Sequence, residues 1–168
     1  MIRYNSFQNI KVGDRMRKML WVSSMLAVFS FGFLGACTKE DSELNRKAGE
    51  SFLAENRGKE GVVVTASGLQ YQVLKEGNGQ QPLTSDSVTV NYKGSLIGGK
   101  EFDKGENITF PLNGVIPGWT EGLQLMKEGA KYRFFIPSAL AYGESGAARV
   151  IPPNSTLIFD VDLVKVNR

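Results

Sequence analysis

No histidine occurs in the 168 residues, and cysteine occurs once. The first absence removes the Ser-His-Asp and Cys-His arrangements on which most nucleophilic catalysis rests. The second removes any intrachain disulfide, so the fold must be held by packing alone. Metal chemistry finds no donor set: Asp160 and Asp162 share one strand face, but Lys165 lies nearby and no third ligand stands at useful spacing. The glycines of GKEFDKGEN lack the pattern of a phosphate loop. The apolar stretch Leu20–Gly35, which carries no charge, has 16 residues, short of the roughly 20 that span hydrocarbon. An enzyme built from this chain works without an ordinary nucleophile, general base or metal.

Charge excludes a further class. The net +3 and pI near 9.0 suggest nucleic acid, but the surplus is local. Residues 1–36 hold Arg3, Lys11, Arg15, Arg17 and Lys18 against Asp14 alone, while 37–168 hold 15 basic and 16 acidic residues. No basic patch reads as a phosphate footprint, and no nucleic-acid partner is expected. The leader instead has the order of a secretory signal, with Arg15-Met16-Arg17-Lys18 before the apolar run. Its end, Leu34-Gly35-Ala36-Cys37, resembles the lipobox of bacterial lipoproteins. That resemblance implies lipidation of Cys37, an anchor in the bacterial cell envelope, and a mature chain that begins there. Met1 and Met16 both remain candidate starts. Thr38-Lys39-Glu40-Asp41 fits a surface-export signal and a solvated tether equally.

Downstream, Glu43–Asn56 is expected as a short spacer helix, its stripe formed by Leu44, Ala48 and Phe52. Gly49 weakens it. From Val62 the period changes to two: Leu69, Tyr71, Val73; Val88, Val90, Tyr92; Tyr132, Phe134, Ile136; and Leu157, Phe159, Val161, Leu163. These are half-buried antiparallel strands. EGNGQ (76–80) and IGGK (97–100) are expected as turns, and Trp119, Leu123 and Met126 as one helix face ended by Gly129. The expected fold is α+β, an antiparallel half-barrel sheet around one short helix. The expected division is 1–36 signal peptide, 37–66 tether and spacer helix, and 67–168 folded domain.

Two stretches are too apolar for loops. Val115-Ile116-Pro117-Gly118-Trp119 and Val150-Ile151-Pro152-Pro153 set large apolar side chains beside prolines, which bar both a central strand and a helix interior. Together with Val90-Asn91-Tyr92-Lys93-Gly94, Phe102-Asp103, Ala141-Tyr142-Gly143 and Phe159-Asp160-Val161 they stand in an order similar to FKBP-type peptidyl-prolyl isomerases, closest to the Mip-like bacterial branch. The resemblance covers about residues 67–167. It implies isomerisation of X-Pro bonds in proline-containing polypeptides, no cofactor, and macrolides as possible inhibitors. By the same resemblance Tyr92, Asp103, Ile116, Trp119 and Tyr142 carry the reaction, and Phe102, Ile108, Val115, Val150, Ile151 and Phe159 bind substrate. The family's long dimerising helical region is missing, which points to a monomer.

Three positions depart from the family pattern. Ile108 stands where an aromatic is common, Ala147 where a larger side chain is common, and Lys104–Asn107 is a short loop without the arginine that pairs with the aspartate. Lys104 is a candidate to replace it. Phe110 and Phe134 read as ordinary core, and Arg149 as a solvated loop charge.

Overall fold

Alternation is the rule that builds the sheet. The structure, a computed structural model, describes residues 39–147 and 150–168. The leader, Cys37 and Arg149 lie outside the described residues. Six antiparallel strands form one sheet: β1 (Val62–Val64), β2 (Gln70–Lys75), β3 (Ser87–Leu96), β4 (Glu101–Pro111), β5 (Lys131–Ile136) and β6 (Leu157–Asn167), in the spatial order β1-β2-β5-β6-β3-β4. Leu157, Phe159, Val161 and Leu163 of β6 all face the core, as the period of two requires. Tyr132, Phe134 and Ile136 of β5 stand beside them in register. Against this face lies α2 (Pro117–Leu123), contributing Trp119 and Leu123.

The helix is shorter than its apolar spacing suggested. It ends at Leu123 with Gln124 as C-cap, so Met126 is buried from the following turn instead. Gly129 belongs to that turn and takes φ +87°. The 76–80 stretch is likewise no free turn, because Gly79 N–H donates to Glu128 O (3.0 Å) and Glu128 N–H to Gln80 O (2.9 Å). The 97–100 turn forms as expected, closed by Leu96 N–H donating to Lys100 O (2.9 Å) and Gly99 N–H to Leu96 O (2.8 Å).

The stretch Lys104–Asn107 is strand, not loop. It sits in β4, where Gly105 pairs with Tyr92 and Ile108 with Val90 across a bulge. Asn107 takes φ +52° at that bulge, and its N–H is held by Asn91 Oδ1 (2.7 Å).

The helix before the sheet, α1 (Lys39–Asn56), starts a turn earlier than its apolar stripe indicates. It also turns a different face inward. Leu44 is 59 % exposed, whereas Ser42, Asn45, Phe52 and Leu53 are half-buried and Gly49 and Asn56 are buried. That face is small and polar because the contact is made by hydrogen bonds and close approach. Asn56 Nδ2 donates to Gln70 Oε1 (3.0 Å) and Gln70 Nε2 to Leu53 O (2.8 Å). Phe52 meets Phe135 at 5.9 Å between ring centroids. Gly49 lies so near Thr156 that an added Cβ would stand 2.3 Å from Thr156 Oγ1. The residue that lowers helix propensity is the one that lets α1 lie against the domain.

Candidate active site

The two proline-bearing apolar stretches are positioned by different means. Ile116 is the N-cap of α2 and Pro117 its first residue, a position where the fixed φ suits the helix and the missing N–H costs nothing. Trp119 N–H donates to Ile116 O (2.9 Å), and Thr120 Oγ1 to Leu112 O (2.8 Å), fixing the entry to the helix. Gly118 and Gly122 let α2 approach the sheet, since a Cβ on either would come within 2.5 Å of Ile136 or 2.7 Å of Phe134. Trp119 is thereby pressed among β-strand aromatics. In the second stretch, Ile151 is buried and its N–H and C=O both pair with Ala147.

The result is a cavity of about 480 Å³ lined by Tyr92, Asp103, Phe110, Gly114, Val115, Ile116, Trp119, Tyr142 and Phe159. Trp119 is 5 % exposed and meets three rings edge-on: Tyr92 and Phe159 at 5.2 Å and Phe110 at 5.8 Å. Such T-shaped contacts between quadrupoles favour one arrangement over a loose apolar heap. The indole Nε1 is buried with no hydrogen-bond partner among the described residues, and the rings of Tyr92, Phe110 and Phe159 complete an aromatic surface around it.

The polar edge is small and well held. Tyr92 Oη donates to Asp103 Oδ2 (2.9 Å), and the Lys104 backbone N–H donates to Asp103 Oδ1 (2.9 Å). Burial, reinforced by the hydrogen bond and charge of Asp103, pushes the Tyr92 phenol up to about 12. At neutral pH it is a fixed neutral donor. The Lys104 ammonium does not serve as the partner of Asp103; it lies 3.5 Å from Glu101 instead. Asp103 is thus secured from its own strand and the neighbouring one, which answers the missing arginine.

Of the residues expected at the site, Tyr92, Asp103, Val115, Ile116, Trp119, Tyr142 and Phe159 share this lining. Four others stand outside it. Phe102 packs edge-on behind Phe159, centroids 5.4 Å apart, and Ile151 belongs to the core beneath. Ile108 and Val150 are 40 % and 44 % exposed. Phe110, read from sequence as core, is on the lining, and so is Gly114. The available signal was position in the chain, since Phe110 precedes Val115 by one short turn, the 3-10 helix Leu112–Gly114. Among the described residues no group of acidic or cysteine side chains is arranged to hold a metal. Chemically the site is an apolar basin with one fixed phenol–carboxylate edge.

Known proteins resemble the chain in sequence and in fold. Residues 78–164 match the model of the FKBP-type peptidyl-prolyl cis-trans isomerase domain, and residues 25–73 match the domain found amino-terminal to it. A probable FKBP-type isomerase, FkpA, of Neisseria meningitidis is 56 % identical over 132 residues, covering 76 % of this chain and 48 % of that protein. The outer membrane protein MIP of Legionella longbeachae is 45 % identical over 140 residues, 77 % of this chain and 60 % of its own length. The crystal structure of FkpA from Escherichia coli superposes with a TM-score of 0.74 at 48 % identity, over 77 % of this chain and 62 % of that one. A peptidyl-prolyl isomerase structure from Pseudomonas syringae pv. tomato gives 0.73 at 40 % identity, over 76 % of this chain and 96 % of that one. The chain spans about half the length of the first curated relatives it matches.

Proposed function

Because the chain belongs to the FKBP-type peptidyl-prolyl cis-trans isomerase family, we propose that it accelerates cis–trans isomerisation of X-Pro bonds in polypeptides of the bacterial envelope. The observation that carries this reading is the aromatic basin around Trp119 with a single polar edge. Rotation about X-Pro meets a barrier of about 20 kcal/mol because it breaks amide resonance. In water, hydrogen bonds to the polarised carbonyl favour the planar form. The twisted amide has a less polar carbonyl and a more pyramidal nitrogen. A water-poor basin withholds the bonds that favour the planar ground state, so the barrier falls without covalent chemistry.

Each residue has a part in this. Trp119 and Phe159 receive the proline ring, and Val115 and Phe110 wall it. Tyr142 Oη and the Ile116 backbone N–H hold the peptide. Asp103, kept in place by Tyr92, sets a fixed negative edge beside the substrate carbonyl. Phe102 and Ile151 support the walls from behind, and Ile108 and Val150 meet the chain flanking the proline at the rim.

Addition to proline-limited refolding and to a panel of X-Pro tetrapeptides tests the activity, with and without an FKBP-directed macrolide. Acceleration abolished by the macrolide supports both the activity and the basin as its seat. Acceleration without inhibition keeps the reaction and removes macrolides from the ligands. No acceleration by folded protein sinks the reading. The finer expectations on location are also proposals. Lipidation of Cys37 anchors the chain to an envelope membrane, and the isomerase works there as a monomer. The names of the Mip and FkpA relatives support the envelope placement. Mass spectrometry of the membrane-bound protein should show a lipid mass that Cys37→Ala removes, and equilibrium sedimentation should return one chain.

A further inference from the structure

Helix α1 touches the segment Pro153–Thr156, which lies outside the basin lining but is bonded to the stretch that follows Tyr142. Asn45 Nδ2 donates to Pro153 O (3.0 Å), and Asn154 Nδ2 donates to Ser42 Oγ (2.9 Å). Gly49 closes on Thr156 next to them. Asn154 then reaches the other way. Its backbone N–H donates to Gly143 O (2.8 Å), the carbonyl that follows Tyr142. Asn154 takes φ +57°, a left-handed conformation unusual for a residue other than glycine. That turn points its amide side chain at α1 while its main chain holds the Tyr142 segment. Ser155 Oγ stiffens the same turn by donating to Pro152 O (2.7 Å). Tyr142 is 40 % exposed, and the short 3-10 helix Gly143–Ser145 that follows it has no buried residue. Little apolar packing fixes this part of the wall, so its hydrogen bonds decide how often it is correctly placed.

We propose that Asn154 is a positioning residue that couples α1 to the basin: α1 docked through Ser42 and Asn45 holds the Tyr142 segment in its binding pose. Release of α1 lets that segment sample other poses. A site competent only part of the time binds substrate more weakly by that fraction, while bound substrate still reacts normally. The coupling therefore appears in KM and leaves kcat nearly unchanged. This kinetic consequence rests on the isomerase reading of the basin. The structural consequence does not.

The experiment uses the full chain with Ser42→Ala/Asn45→Ala, with Gly49→Leu, whose side chain cannot fit against Thr156, and with Asn154→Gly, which keeps the left-handed turn and the bond to Gly143. Amide hydrogen exchange and isomerase kinetics are measured on each. In all three, exchange across Tyr142–Ser145 should quicken by about tenfold while β5 and β6 stay protected. KM should rise by about three- to tenfold with kcat within about twofold. Ser42→Thr, which keeps the hydroxyl, should behave as wild type. Faster exchange in α1 with unchanged protection of Tyr142–Ser145 overturns the proposal. So does unchanged protection in both elements, since the named contacts would then hold neither. Quickened exchange in a protein whose wild type shows no isomerase activity keeps the coupling and removes only the isomerase reading.

Discussion

Strands β4 and β6 are both 11 residues long, and both pair with β3, one along each of its sides. They do opposite work. β6 lies in the middle of the sheet and sends Leu157, Phe159, Val161 and Leu163 into the core, each no more than 4 % exposed. β4 is the edge and buries no residue fully, yet it supplies Asp103 and Phe110 to the basin. Phe159 of β6 serves both sides of this division, as core and as lining. A strand freed from filling the core can place a carboxylate where a central strand would bury it at high cost. Stability is concentrated in one partner of β3 and polar chemistry in the other.

The largest effect should come from β6. Leu163→Ala deletes a side chain that is 1 % exposed and should cost about 2–5 kcal/mol, read as a lower urea midpoint. Asp103→Ala on β4 should divide the other way. Activity should fall by about tenfold, the scale of one charge-assisted hydrogen bond, with the urea midpoint moved far less. Equal losses of stability from the two variants would break the comparison.

A third effect lies at alkaline pH. The folded phenol of Tyr92 is raised to about 12, against an unfolded value near 10. Folding therefore keeps a proton that the unfolded chain releases, and this contribution is complete below about pH 10 and lost as pH rises toward 12. Ultraviolet titration should show a high-pH phenolate step that Tyr92→Phe removes, and isomerase activity should stay level from neutral pH to the foot of that step. Smallest is Thr109→Val, which breaks the exposed Thr89–Thr109 hydroxyl contact of 2.8 Å on β4 and should move stability by no more than about 0.5 kcal/mol.

The same contrast explains which parts could be read from sequence. β5 and β6 announce themselves because Tyr132, Phe134 and Ile136, and Leu157, Phe159, Val161 and Leu163, are buried at every second position, and burial of one face is what writes a period of two. β4 buries no residue fully, so EFDKGENITF carries no alternation, and its middle reads as a loop. Phe110 was hidden for a related reason: an aromatic on an edge strand looks like core whether or not a cavity opens beside it. The proline-flanked Val115-Ile116 and Trp119 were legible because apolar side chains in non-regular segments have few other uses. The docking face of α1 was not. Its contacts run through Ser42, Asn45, Gly49 and Asn56, and a hydrophobic stripe cannot report a surface joined by amides. The α2 stretch reads as a helix that is too long, since Met126 continues the apolar spacing past the end of the α-helix at Leu123.

The spatial order β1-β2-β5-β6-β3-β4 also sets when the molecule can exist. β6 follows every other strand in the chain but stands between β5 and β3. Without Leu157–Asn167 no strand pairing among the described residues joins β1-β2-β5 to β3-β4. The last strand made is the one that closes the sheet, and it joins partners distant in sequence, which places folding among the slower, non-local topologies. A nascent chain of this protein thus lacks the strand that joins its two halves until synthesis has carried it through β6.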